Sequence, residues 1–160
     1  MSTLVVYYSL SGHTRTVATA LAKQLGADIE QIGCLRYTTG FWGFLKAAGD
    51  SWQNRLPAIA PLSLDPSRYG LVVIAGPIWA FHPSTPLRAF LRQYAGKLRD
   101  VAFILTHGGS AGEQSLHELE LLAGKPPVAR RAIREADIKS GEFHHAVSSL
   151  AAVLQTKKAA

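Results

Sequence analysis

Tyr7-Tyr8-Ser9-Leu10-Ser11-Gly12-His13-Thr14-Arg15 joins an apolar run to an amphipathic one, and the nature of that join decides the fold. Before it, Leu4-Val5-Val6-Tyr7-Tyr8 is short, continuous and partly β-branched, the pattern of a strand buried on both faces. After it, Val17, Leu21 and Leu25 recur at helical spacing with Ala18 and Ala22 beside them, and Gly26 follows as a stop. A strand that turns tightly into a helix aims free N–H groups and the positive end of the helix dipole at one spot. Ser9, Ser11 and Thr14 add hydroxyl donors to that spot, and Gly12 lets the backbone approach closely. The loop is therefore expected to hold an anion. His13 lies in the same loop, where it either donates to the anion or faces water.

Further strands are expected at Ile29–Ile32 (edge-like), Leu71–Ala75, Val101–Leu105 and, more poorly marked, near Val128–Ile133. Helical patterns separate them. Ser84 is placed to cap a helix that has Pro86 in its first turn and Leu87, Phe90, Leu91 and Tyr94 along one face. A second runs from Glu113 to Ala123, closed by Gly124 and stopped by Pro126-Pro127. A C-terminal one carries Phe143, Val147, Leu150 and Leu154, with Lys157-Lys158 near the negative end of its dipole. Strands alternating with helices predict an α/β fold. We expect a doubly wound five-stranded parallel sheet in the order 2-1-3-4-5, with right-handed crossovers, forming a single domain over residues 1–160. The stretch from Gly33 to Gly70 exceeds what a crossover needs. Within it, Phe41, Phe44, Leu45, Ala48 and Trp52 make a helical stripe, and Leu56 to Leu62 reads as extended and apolar. Most of these residues are expected to cover the sheet; the sharper alternative is that some aromatics rim a ligand or form a homodimer contact.

Composition narrows the functional classes. No apolar span reaches membrane-crossing length, so no membrane insertion is expected. The first residues lack a basic region ahead of their apolar run and read as a strand. A single cysteine, Cys34, cannot form an internal disulfide or a cysteine metal cluster, and it fits a reducing, cytoplasmic setting. The formal charge of +6 is scattered, with Arg130-Arg131 and Lys157-Lys158 the only basic pairs, so no nucleic acid partner is expected. The histidines and acids show no metal-ligand spacing, and the adjacent His144-His145 face different directions on their helix.

In a doubly wound sheet, ligands bind beyond the carboxyl ends of the strands, at the switch point in strand order. Three loops should meet there: Ser9–Thr14, then Gly76–Thr85 after the third strand, then Thr106–Gly112 after the fourth. Trp79, Phe81 and His82 offer ring faces, and Gly108-Gly109 lets the main chain approach the edge of a flat ligand. The first loop resembles the flavodoxin family, in which an aromatic, a spaced hydroxyl residue, a small residue, a Thr, and then an Ala and an aliphatic on the helix hold a flavin mononucleotide (FMN) phosphate. Here these are Tyr7, Ser9, Gly12, Thr14, Ala18 and Leu21. The later loops resemble the flavin-holding loops of flavodoxins and related quinone reductases. The resemblance implies FMN as cofactor and a flavodoxin-like sheet order. It also implies a cofactor site built from Ser9, Ser11, Gly12, His13, Thr14, Pro77, Ile78, Trp79, Ala80, Phe81, His82, Thr106, His107, Gly108 and Gly109, with Trp79 stacking on or edging the flavin ring. No catalytic residue is identified.

Absences remove other users of similar folds. A receiver domain needs an Asp ending the third strand, where this chain has Ala75-Gly76. A low-molecular-weight phosphatase needs a cysteine in its anion loop, and a Walker-type nucleotidase needs Gly-Lys-Thr. Two hypotheses remain. One is a flavin reductase that takes hydride from NAD(P)H and passes electrons to a quinone or similar small-molecule acceptor. The other is a one-electron carrier between redox proteins, as flavodoxin is. The three loops contain no Asp or Glu. A nearby fixed charge is worth on the order of 1–4 kcal/mol, so their absence should ease the second reduction step. Trp79-Ala80-Phe81-His82 also lacks glycine, so left-handed backbone there should carry a cost of roughly 1–2 kcal/mol, hindering the peptide flip that stabilises a semiquinone in the family. Both considerations favour two-electron chemistry.

Overall fold

The computed structural model describes residues 2–109 and 111–159; Ser110 of the third loop lies outside them, as do the side chains of Lys158 and Ala159. Five parallel strands are ordered β2 (Asp28–Gln31), β1 (Thr3–Tyr7), β3 (Leu71–Trp79), β5 (Asp100–His107), β6 (Arg130–Arg134). This is the expected 2-1-3-4-5 arrangement. One short strand was not foreseen: β4 (His82–Pro83) folds back antiparallel on the end of β3, pairing Trp79 with His82.

Alternation of side chains along the strands sends the core to both faces. On one face Leu4, Val6, Val72, Ile74, Phe103 and Leu105 meet α3 (Thr85–Tyr94) and α4 (Gly112–Ala123) through Leu87, Phe90, Leu91, Leu116 and Leu119. On the other, Val5, Val73, Ala75 and Ile104 meet α1 (His13–Leu25) and α6 (Phe143–Ala159) through Val17, Leu21, Val147, Leu150 and Leu154. Gly26 closes α1 in the left-handed conformation, as its position predicted. α6 runs to Ala159, which puts Lys157 in its last turn. β6 is an edge strand with only Ile133 buried, which is why its sequence carried so weak a signal. The short helix α5 (Glu135–Ser140) directly after it is absent from the expectations above.

α2 (Phe41–Trp52) forms where the aromatic stripe predicted a helix, but it faces the other way. Gly43, Ala47, Asp50 and Ser51 are buried, whereas Phe41, Trp42, Phe44, Leu45 and Trp52 are exposed, Trp42 by 79 % and Trp52 by 78 %. The expectation that these aromatics cover the sheet is therefore corrected. Small residues on the inner face let the helix lie close, and a polar clamp fixes it. The Asp50 carboxylate accepts from Arg36 Nε (2.6 Å) and Nη2 (3.1 Å) and from the Tyr37 hydroxyl (3.1 Å), which in turn sits 2.6 Å from Thr85 Oγ1 at the start of α3. Of the extended stretch after α2, Ile59 and Leu62 pack partly against the core, as expected.

Candidate functional site

The carboxyl ends of β1, β3 and β5 bring the three loops together, and one hydrogen bond ties the first to the third. Thr14 Oγ1 lies 2.8 Å from Thr106 Oγ1, with both residues buried, across 92 positions of sequence. Gly12 caps α1 at φ +99°, a conformation that costs other residues, and it supplies no side-chain cap. Its own N–H donates to Ser9 Oγ (3.1 Å), so the Ser9 hydroxyl shapes the loop. Thr16 N–H begins the helical ladder on Gly12 O. The N–H groups of the preceding first turn, at His13, Thr14 and Arg15, are the donors every helix leaves unpaired, here opening on the Ser11 and Thr14 hydroxyls.

A cleft of about 260 Å³ lies over this helix start, bounded by Ser11, His13, Thr14, Pro77, Ile78 and Trp79. Leu10 of the first loop, Phe44 and Glu135 complete it; Phe44 is one of the aromatics that the sharper sequence alternative set at a ligand rim, whereas Glu135 was not among the expected site residues. Phe44 of α2, 60 % exposed, forms one wall. Glu135, the first residue of α5, forms another, with its carboxylate 3.6 Å from His13 Nδ1; that ring nitrogen is also 3.1 Å from Ser11 Oγ. Glu135 follows a strand whose carboxyl end faces the site, so it was findable in principle; the weak β6 signal hid it. The three loops themselves are acid-free, but the cleft is not.

A second cleft of about 250 Å³ is bounded by Ile78, Ala80, Phe81, His107, Gly108 and Gly109. Among the described residues His107 Nδ1 is buried here without a hydrogen-bond partner, and none of them lies close over Gly108 or Gly109. Between the clefts, Trp79 is 7 % exposed and wedged edge-on against Tyr8 (centroids 5.5 Å) and Tyr37 (4.9 Å). So buried an indole offers the cleft an edge and no open face. Phe81, by contrast, is 62 % exposed. Burial pushes the Tyr8 hydroxyl to a higher pKa, with lesser contributions from Cys34 and Tyr37, so this aromatic floor stays neutral.

The hairpin Trp79-Ala80-Phe81-His82 corrects one sequence argument. Ala80 (φ +47°) and Phe81 (φ +70°) both occupy the left-handed region despite having side chains. The two-residue link between β3 and β4 demands positive φ at both central positions, and pairing of Trp79 with His82 enforces it. The backbone cost is thus already present in the fold. Ser115 Oγ donates to Phe81 O (3.0 Å), holding the strained turn from α4. His82 turns away from both clefts, with Nδ1 2.7 Å from Glu118 Oε2. Ser84 occupies the N-cap of α3 as expected, but its buried hydroxyl has no partner among the described residues; its carbonyl accepts from Leu87 and Arg88 instead.

The family pattern described as flavodoxin matches residues 2–132. The chain belongs to the flavodoxin family. Among solved structures, similarity extends to a flavoprotein in complex with FMN from Lactobacillus acidophilus NCFM, at 23 % identity and TM-score 0.72, covering 87 % of this chain and 97 % of that one. A WrbA-like flavodoxin from Agrobacterium tumefaciens is 16 % identical with TM-score 0.53, over 94 % and 96 % of the two chains. Rubredoxin oxygen:oxidoreductase from Desulfovibrio gigas is 17 % identical with TM-score 0.54, covering 99 % of this chain and 37 % of that larger one. At these identities the likeness is one of fold. No curated protein matches the chain.

Proposed function

We propose that this flavodoxin-family protein binds FMN across the two clefts and works as an NAD(P)H-dependent flavin reductase on a quinone or similar small acceptor. The observation that carries the cofactor reading is the unpaired first turn of α1 opening on Ser11, His13 and Thr14, with Thr14 locked to Thr106. Those donors suit a phosphate dianion, for which charge-assisted hydrogen bonds are the strong kind. His13, held between Ser11 and Glu135, is positioned to turn its second ring nitrogen toward the same anion. Around the ring, Trp79 supplies an edge, Phe44 and Phe81 supply exposed faces, and the Gly108-Gly109 backbone reads the polar rim. His107 has a buried ring nitrogen with no partner among the described residues, available there as donor or acceptor. Bound FMN would supply hydride and electron transfer; the chain's part is to orient it and leave one side open for a second planar molecule.

The reductase reading draws on the absence of acids from the three loops, and on the exposed aromatic faces where a nicotinamide or quinone could stack. The carrier reading keeps one specific support: the left-handed hairpin at Ala80-Phe81 means that backbone strain no longer argues against one-electron chemistry. The cofactor half is tested by titrating the apoprotein with FMN and with riboflavin. FMN should bind at least a hundredfold more tightly, on the order of the loss of one or two charge-assisted hydrogen bonds. Thr14→Val should narrow the gap by weakening FMN alone. Equal affinities for the two flavins would remove the reading.

A further inference from the structure

A larger cleft, of about 610 Å³, lies outside the loop site, between the end of α2 and the facing sides of α3 and α4. It shares no lining residue with either loop cleft. Its floor contains Arg88, only 4 % exposed. The Arg88 guanidinium donates from Nε to Pro83 O (2.9 Å), from Nη1 to Asn54 Oδ1 (2.8 Å), and from Nη2 to Ser51 O (2.9 Å) and Ser51 Oγ (2.7 Å). Every one of these acceptors is neutral. Of the five N–H groups of an arginine, one on Nη1 remains unused. Among the described residues no carboxylate forms an ion pair with Arg88. Burial accordingly pulls its pKa down, opposed by the charge of Glu118, whose carboxylate lies 2.7 Å from His82 Nδ1.

A buried charge normally sits beside a countercharge, because desolvation costs several kcal/mol. Its four ties hold the end of α2 and the β4 turn, but none of them brings a countercharge. Arg92, one turn further along α3, opens on the same cleft, so two guanidinium groups stand against the one carboxylate in the lining, that of Glu118, which is hydrogen-bonded to His82. The walls are apolar: Trp52, Leu121 and Leu122 are exposed by 78 %, 68 % and 39 % and flank the opening.

We propose that this cleft binds a small amphipathic organic anion, with its carboxylate on Arg88 and Arg92 and an aromatic or branched apolar body against Trp52, Leu121 and Leu122. The volume is that of a small-molecule site, and the arrangement of apolar walls around a few convergent polar groups is what such sites use. The inference stands independently of the flavin reading. Its position does touch the loop site, however: the His82–Glu118 pair and the Ser115 bond to Phe81 both connect α4 to the strained hairpin, so an occupant here lies against the element that borders the second loop cleft.

The probe is 2-naphthoate, compared with its neutral isostere 2-naphthamide, by isothermal titration calorimetry on the full chain with and without FMN. Naphthoate should bind roughly tenfold more tightly than the amide, the worth of one charge-assisted contact. Arg92→Gln, an exposed change that leaves the core intact, should erase most of that difference while leaving amide binding and FMN binding unchanged. Leu121→Asp should abolish naphthoate binding by bringing a like charge to the rim. The proposal is overturned by absence of naphthoate binding at millimolar concentration, by equal affinity for acid and amide, or by indifference to Arg92→Gln. Displacement of FMN by naphthoate would place the anion in the loop site and overturn it as well. Persistence of naphthoate binding in Thr14→Val would support it and separate its fate from that of the cofactor reading.

Discussion

Glu135 and Phe81 show what single residues do to this site. A carboxylate beside a helix start opposes the anion that the helix start attracts, and Glu135 sits 3.6 Å from the His13 ring at the cleft wall. Removing its charge leaves the donors of α1 untouched. Glu135→Gln should therefore tighten FMN several-fold and leave riboflavin unchanged, a difference visible in paired fluorescence titrations. An unchanged FMN affinity would mean that the carboxylate points its charge elsewhere. Phe81 carries two opposed effects. Its left-handed backbone is costly for any residue with a Cβ, about 1–2 kcal/mol, while glycine loses roughly 0.5–1 kcal/mol through chain entropy. As its ring is largely exposed, little packing is lost on truncation. Phe81→Gly should thus raise stability by about 0.5–1 kcal/mol in urea unfolding. It should weaken flavin binding by a few-fold through the missing ring face. A destabilised variant would show that the ring packs more tightly than its exposure implies.

At the level of elements, α2 is anchored by small inner-face residues and a polar clamp, while its large apolar side chains stay exposed. The Arg36 guanidinium, hydrogen-bonded to Asp50, holds that carboxyl below its ordinary value of 3.8, with help from Tyr37. A carboxyl whose pKa is lowered by folding stabilises the fold above its ordinary value and loses that contribution as pH falls towards the folded value. Asp50→Asn should therefore destabilise by about 1.5 kcal/mol near neutrality, a figure tempered by the half-exposed Arg36. The gap between variant and parent should close as the pH drops below 3.8 in thermal melts. A gap independent of pH would assign the effect to packing. The same helix marks the limit of what its sequence discloses. The spacing of Phe41, Phe44, Leu45, Ala48 and Trp52 predicts a helix correctly, because periodicity reports conformation. It does not say which face is buried when the small residues Gly43, Ala47 and Ser51 recur at the same period and a buried Asp supplies the anchor. β1, β3 and β5 were legible because continuous apolar runs have few other uses; β6 was faint because an edge strand buries one residue, and Glu135 was lost with it. The meeting of the first and third loops was predictable from topology, whereas the Thr14–Thr106 bond that joins them was not, nor was β4 with its two left-handed residues, since nothing in Ala80-Phe81 signals such a turn.

For the molecule as a whole, the charge distribution bears on how many electrons move at once. The chain carries a formal +6, its three site loops hold no acid, and Glu135 is the one carboxylate bordering the first loop cleft. The hairpin argument from missing glycine no longer contributes, because Ala80 and Phe81 already adopt the left-handed backbone. The expectation therefore rests on electrostatics. A fixed negative charge a few ångströms from the flavin opposes the second, anion-forming reduction by on the order of 1–4 kcal/mol, and a net positive field favours it. Potentiometric reduction of the FMN-loaded protein should accordingly show two one-electron steps that lie close together or cross, with little intermediate colour. Raising the salt should separate them by screening the positive field. NADH or NADPH with a quinone should then turn over. A widely separated, very low second potential with no oxidation of nicotinamide would instead identify a one-electron carrier, and it would show that the backbone of the strained hairpin, rather than the charge around it, sets the potentials of the site.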